Sequence, residues 1–161
     1  MGIKVQRFSV TSSKGFREMV AALEAAIGHP DMKLFGKNLS AAKTFAEEQK
    51  IVLAATGPSE LMEFMRLDLG DVLGKRNGAA ARQSLRFLVG NPVTMSAMVQ
   101  HVPHAGSYEP GTVLIDERAD GVHSSYDEMA SFLATYGSPE ALKVAPDLDS
   151  KVEALLVAAA G

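Results

Sequence analysis

Apolar residues along the chain switch between a period of two and a period near 3.6, and the switches mark out strands and helices. From Ile3 to Thr11 the pattern alternates, Ile3 and Val5 and then Phe8 and Val10, with a change of phase near Arg7 that suggests a bulge or twist in a strand. Ser12-Ser13 is a helix-start signal, and Phe16, Met19, Val20, Leu23 and Ile27 follow at helical spacing up to a stop at Gly28. His29-Pro30-Asp31 reads as a turn. Beyond Leu39 the spacing is ambiguous. Ser40 can cap, and Phe45, Gln49, Val52, Leu53 and Thr56 share a helical face, but Ile51 to Ala55 alone would equally pass for a buried strand. The helix is preferred, ended by Gly57-Pro58. Glu60 to Leu67 alternates imperfectly, with Met62, Phe64 and Arg66 on one face and Leu61, Met65 and Leu67 nearer the other, and is read as a strand. Asp68 and Asp71 suit the start of a short helix at Val72, and Gly74 to Ala81, with the turn signal Asn77-Gly78, reads as an exposed loop.

The second half carries stronger signals. Leu85-Arg86-Phe87-Leu88-Val89 is apolar almost throughout, which predicts a central or near-central strand buried on both faces. It stops at Gly90-Asn91-Pro92, where Asn91 is a good N-cap and Pro92 suits the first helical position. Met95, Met98, Val99 and Val102 then form a buried stripe, closed by Pro103. After Glu109-Pro110-Gly111, the run Val113-Leu114-Ile115 turns at Asp120-Gly121 and returns as Val122 to Tyr126, a connection so tight that the pair is antiparallel. Asp127 is expected to cap a helix with Met129, Phe132, Leu133 and Tyr136 on one face, closed by Gly137. Ser138-Pro139-Glu140 opens a short helix and Pro146-Asp147 opens the last, with Leu148, Val152, Leu155 and Leu156 inward and the Ala-rich stretch from Val157 to Gly161 frayed. No repeat or linker divides the chain. The prediction is a single domain over residues 1–161 of α+β class, one mostly antiparallel sheet with helices packed mainly on one face. The other face then needs cover, and self-association into a homodimer supplies it.

Composition narrows the function classes. With 161 residues the chain can bury a core without disulfide or metal. The formal net charge of -3 and the scattering of Lys and Arg argue against nucleic acid as a partner. The absence of cysteine removes thiolate nucleophiles, zinc–thiolate sites and iron–sulfur clusters. Neither a signal peptide nor a membrane span is visible, so the expected location is cytoplasmic and no membrane partner is expected.

Several phrases carry a family resemblance. They are the strand ending in Gly90-Asn91-Pro92, Tyr108-Glu109-Pro110 before a strand, Asp120-Gly121, Ser125-Tyr126-Asp127, and Phe132 through Gly137-Ser138-Pro139-Glu140. Together they resemble the bacterial family called domain of unknown function 302. Val5 to Leu23 fits that family's opening, Arg66 to Gly70 resembles its central segment, and the likeness is strongest from Leu85 to Leu156. The resemblance implies a compact fold similar to the TATA-binding-protein-like class of sheets, often as a dimer, with no settled activity. Many relatives carry Cys just before Asn-Pro. Here that position is Gly90, so any thiol role in those relatives cannot operate.

Candidate chemistry is sparse. His101 and His104 are three apart at a helix end and are weak metal candidates, because Pro103 breaks the helix between them and no third His lies close. The plain alternative is a helix-end histidine interacting with the dipole. His123 and Ser125 point to the face of their strand opposite Val122, Ser124 and Tyr126. His123 is thus either a solvated strand histidine or a general base. Tyr126 can pack its ring and still offer a hydroxyl. Ser124, His123 and Asp127 cannot form a triad, since alternation sends His123 and Ser124 to opposite faces. No nucleophile elbow or phosphate loop is present. Met62, Met65, Met95, Met98 and Met129 either fill the core or line an adaptable apolar pocket.

Three functional readings stay open. The first is a non-catalytic small-molecule-binding homodimer, with Asn91, Met95, Met98, Tyr108 and Tyr126 at the site. The start of the Asn91 helix would there favour a small anionic or apolar molecule. The second is a small acid–base enzyme using His123, Tyr126 or Glu109. The third is a module that binds a protein partner through an exposed sheet face or edge. No cofactor is expected.

Overall fold

The structure, a computed structural model, describes residues 1–78 and 82–161. Among the described residues, β1 (Arg7–Ser12), β2 (Met62–Asp68), β3 (Ser84–Gly90), β4 (Gly111–Arg118) and β5 (Gly121–Asp127) form one sheet in the order β1-β5-β4-β3-β2, every pair antiparallel. The β4–β5 turn closes at Gly121, whose φ of 134° lies in the region that only glycine enters without strain. The helices are α1 (Phe16–Ala26), α2 (Met32–Ala41), α3 (Phe45–Ala55), α4 (Leu69–Asn77), α5 (Pro92–Val99), α6 (Met129–Ala134) and α7 (Pro139–Ala160), with a 3-10 turn at Pro103–Ser107.

One sheet face makes the core. Register places Val113 beside Phe87 and Tyr126, and Ile115 beside Leu85 and Ser124, so the inward residues of β3, β4 and β5 form continuous rows. Met19 and Leu23 of α1, Met98 of α5, Met129 and Leu133 of α6, and Leu148 and Leu156 of α7 pack within the same core cluster. The opposite face carries no helix among the described residues. Register lines up Met65, Leu88 and Thr112 in one row, and Leu67, Arg86 and Leu114 with Ser125 in the next. Met65 and Leu67 are 51% and 41% exposed. The Leu85–Val89 strand is therefore interior but buried on one side only. Phe87 and Val89 face the core, while Arg86 is exposed and Leu88 half-buried on the open side. The place at the centre of the order belongs to β4.

Other departures from the sequence reading have local causes. Ser12-Ser13 does not start α1. Gly15 takes the N-cap and donates its N–H to Glu18, while Ser12 Oγ and Ser13 N both donate to the carbonyl of Ala160 at 3.0 and 3.1 Å. The Ala-rich end is thus docked rather than frayed, and Ala159 and Ala160 are buried. α2 is an element the pattern hid: only Phe35 is buried on it, and its evident marker is Asp31, whose carboxylate accepts from Leu34 N at 2.9 Å. Residues 45–55 are one helix, as preferred, but rotated. Phe45 and Leu53 are 55% and 73% exposed, and Val52 is the buried residue. Asp68 caps α4, which continues to Asn77, so the expected loop begins later; residues 79–81 of that stretch lie outside the described residues.

The two helices expected after Ser138 are a single α7 with Pro146 inside. Ala141, Ala145, Leu148, Val152, Leu155 and Ala159 are buried at alternating steps of four and three, and that stripe runs unbroken past the proline. Pro146 removes one backbone donor, but continuous packing outweighs the loss. Asp127 does not cap α6 either: it pairs with Arg7, Nε to Oδ1 at 2.6 Å. The buried Asp149 of α7 serves that helix start instead, accepting from Met129 N at 2.6 Å, Ala130 N at 2.9 Å and the Tyr126 hydroxyl at 2.8 Å. Replacing Asp149 by Ala strands three donors, two of them in a buried environment. The expected loss is about 3–5 kcal/mol in a urea melt, with Asp149→Asn recovering only part of it. A near-neutral Ala variant would contradict this role.

Candidate functional site

The connection from α5 to β4 is the most chemically loaded segment of the chain. Asn91 accepts from Val93 N at 2.9 Å and Thr94 N at 3.2 Å, and its backbone carbonyl takes Met95 N. Pro92 has no N–H, so every donor at the start of α5 is engaged and none is left for an anion. The Asn91 backbone N–H in turn donates to Glu109 Oε1 at 3.3 Å. Glu109 is only 3% exposed, and its second oxygen, Oε2, is buried with no partner.

Two glycines make the slot for this carboxyl. A Cβ on Gly90 would overlap Glu109 Oε1, and one on Gly111 would lie 2.9 Å from the Tyr126 ring. Burial is the main cause that pushes the Glu109 carboxyl up to about 8, and the Asp149 charge adds to it. The backbone N–H groups of Asn91 and Gly111 pull the other way. At neutral pH Glu109 is therefore mostly a neutral acid. Tyr126 is also raised, first by burial and then by Asp149, so its hydroxyl stays a donor to Asp149.

Beside this segment lies a cleft of about 450 Å³ at one end of the open sheet face. Arg86, Leu88, Thr112 and Asp127 line it from the sheet, and Tyr108 and Phe132 line it from above. The two rings are stacked, centroids 4.5 Å apart and 14° from parallel. The Tyr108 and Tyr136 hydroxyls are 2.6 Å apart, and Tyr136 meets His104 Nδ1 at 2.9 Å. The bond to Tyr108 is the main cause that pushes Tyr136 up to about 12. Arg86 Nη2 donates to Thr112 Oγ1 at 3.2 Å. Among the described residues Arg86 makes no ion pair, whereas both Asp127 oxygens are bound by Arg7.

Of the residues singled out from the sequence, Tyr108 and Glu109 line this cleft, and Asn91 and Tyr126 lie just behind it around the Glu109 carboxyl. Met98 is fully buried in the main core, and Met95 is half-buried on the same helix. His123 sits at the far end of β5. It is four positions from Asp127, roughly 14 Å along a strand, and is held between Asp120 Oδ1 at 2.8 Å and Thr11 Oγ1 at 3.4 Å. His101 and His104 line a separate cleft, and no group of three or more His, Asp or Glu among the described residues is placed to hold a metal. Arg86, Phe132 and Asp149 were not expected at the site. Arg86 had a visible signal, a lone charge interrupting an apolar strand. Phe132 was taken for its helical face and as part of a family phrase, not as a site residue, and Asp149 had no signal of its own.

The chain matches the family model described as domain of unknown function DUF302 over residues 37–159, and it belongs to that family. A solved structure, the uncharacterized conserved protein DUF302 from Bacillus stearothermophilus, is similar to it with a TM-score of 0.65 at 12% identity, covering 95% of this chain and 97% of that one. That likeness speaks to the fold. A comparison with curated proteins finds no match. No described helix is long and apolar enough to cross a membrane.

The buried acid sets a pH dependence. In the unfolded chain the Glu109 carboxyl ionises near its ordinary value of 4.5; in the folded protein it holds its proton up to about 8. The folded state thus binds more protons in that window, so stability is full below about 4.5 and falls as pH rises through 8. The loss is on the order of 3–5 kcal/mol. Urea midpoints at pH 5 and pH 8.5 should differ by less in Glu109→Gln than in the wild type, because the amide mimics the neutral acid. Parallel pH profiles would mean that Glu109 is not held neutral.

Proposed function

We propose that this chain is a non-catalytic, small-molecule-binding protein that works as a homodimer. The observation that supports the binding reading is the juxtaposition in one cleft of a cation without an acid partner among the described residues, an aromatic pair, and a buried neutral carboxyl behind the wall. A concave surface that combines an apolar wall with a few polar groups holding unused donors is the general form of a small-molecule site. The dimer reading rests on the open sheet face, where Met65 and Leu67 are exposed beside Leu88 and Leu114. A second copy would cover that row. The protein-partner reading uses the same face and is separated from the dimer by the experiment below.

The acid–base reading has one specific support, the upward shift of Glu109 next to a cleft. It lacks a convergent team. His123 is at the other end of the sheet, and the Tyr126 hydroxyl is committed to Asp149. Substrate binding without a second catalytic group favours the binding protein.

Native mass spectrometry of the purified protein should show a particle of twice the 17.1 kDa chain, carrying a small molecule. Tyr108→Phe releases the ring from its anchor on the Tyr136 hydroxyl and so loosens the wall of the cleft; it should lower retention of that molecule several-fold while leaving the melting temperature within a few degrees. Met65→Glu with Leu67→Glu should give monomers. A monomeric wild type would remove the dimer, and unchanged retention in Tyr108→Phe would remove the cleft as the site.

A further inference from the structure

The cleft beside Tyr108 has a definite charge balance. Arg86 brings one positive charge, and its hydrogen bond to Thr112 Oγ1 leaves most of its five N–H donors free among the described residues. Two acids are near. Asp127 spends both oxygens on Arg7, at 2.6 and 2.9 Å, so that pair is neutral as a unit. Glu109 is held mostly protonated by burial. The sheet side of the cleft therefore presents one uncompensated guanidinium beside a hydroxyl.

The other side is apolar and flat. Phe132 and Tyr108 lie nearly parallel, and Leu88 continues the apolar surface on the strand. The Tyr108 hydroxyl is turned to Tyr136, away from use as a ligand donor. A volume of about 450 Å³ takes a one-ring molecule with room for substituents. Resting on the small-molecule reading above, we infer that the ligand class is a small carboxylic acid with a planar or alicyclic apolar body, its carboxylate on Arg86 and Thr112 and its body against the Tyr108–Phe132 wall. A guanidinium binds a carboxylate with two parallel hydrogen bonds, which sets the head group, and the stacked rings set the shape of the rest. The anion is thereby received by a side chain of β3, not by the start of α5.

The test uses the full-length protein and two probes of equal shape, benzoate and benzyl alcohol, followed by amide chemical shifts in 15N-labelled protein. Benzoate should shift the amides of Ser107, Gly111 and Thr112 in a saturable way and bind at least ten-fold more tightly than benzyl alcohol. That preference should shrink as salt is raised. In Arg86→Gln, an exposed position whose fold is checked by near-ultraviolet circular dichroism, the two probes should bind alike. Phe132→Leu should weaken both. Equal affinity of the two probes for the wild type, or benzoate shifts that persist in Arg86→Gln, would overturn the carboxylate assignment and leave the cleft as a binding site for another class. No saturable shift from either probe, in a protein that also carries no copurified molecule, would overturn this assignment and the small-molecule reading together.

Discussion

The fold turns on one buried carboxylate. Asp149 lies on α7, the helix that crosses β1 and β5, yet its three partners belong to β5 and to the start of α6. A helix start has N–H groups that need acceptors, and here the chain meets that need from a distant segment instead of from the residue before the helix. The single group therefore fixes three things at once: the height of α7 over the sheet, the direction in which α6 leaves β5, and the tilt of the Tyr126 ring. Because Phe132 is on α6 and packs on Tyr108, the shape of the cleft inherits its precision from Asp149.

The same ring separates two acids with opposite circumstances. Asp149 receives three donors. Glu109 receives backbone donors on one oxygen's side and leaves the other oxygen without a partner. Charge is stable in a low-dielectric interior only where donors surround it. Burial is what chiefly keeps a proton on Glu109 at neutral pH; its few backbone donors do not offset that cost, and the Asp149 charge adds to it.

Much of the architecture was legible from periodicity. The hairpin, α1, α5 and the one-sided α+β layering follow from runs such as Val113 to Ile115 and stripes such as Met19, Leu23 and Ile27, because each depends on local spacing. What failed depended on distant partners. Ser12 and Ser13 look like a cap and serve the far end of α7; Asp127 looks like a cap and pairs with Arg7. Leu88 and Leu114 look like core and face outward, since a sequence does not reveal which sheet face will go uncovered. Of the site, Tyr108 and Glu109 stood out as unusual residues in a connection; Arg86 showed as a lone charge in an apolar strand but gave no sign of its partners, and Phe132 sat among the apolar positions of a helix. Their meeting is a product of register and helix direction, neither of which is encoded locally.

The slot between Gly90 and Glu109 also constrains how this protein can change over generations. The Glu109 carboxyl fills the space that any side chain at position 90 would need. A larger residue at 90 therefore has to displace that carboxyl from the slot. The two positions are coupled: the effect of a change at 90 depends on which side chain stands at 109, and the reverse. A comparison of relatives should thus treat them as one site with two residues, since neither can be read without the other.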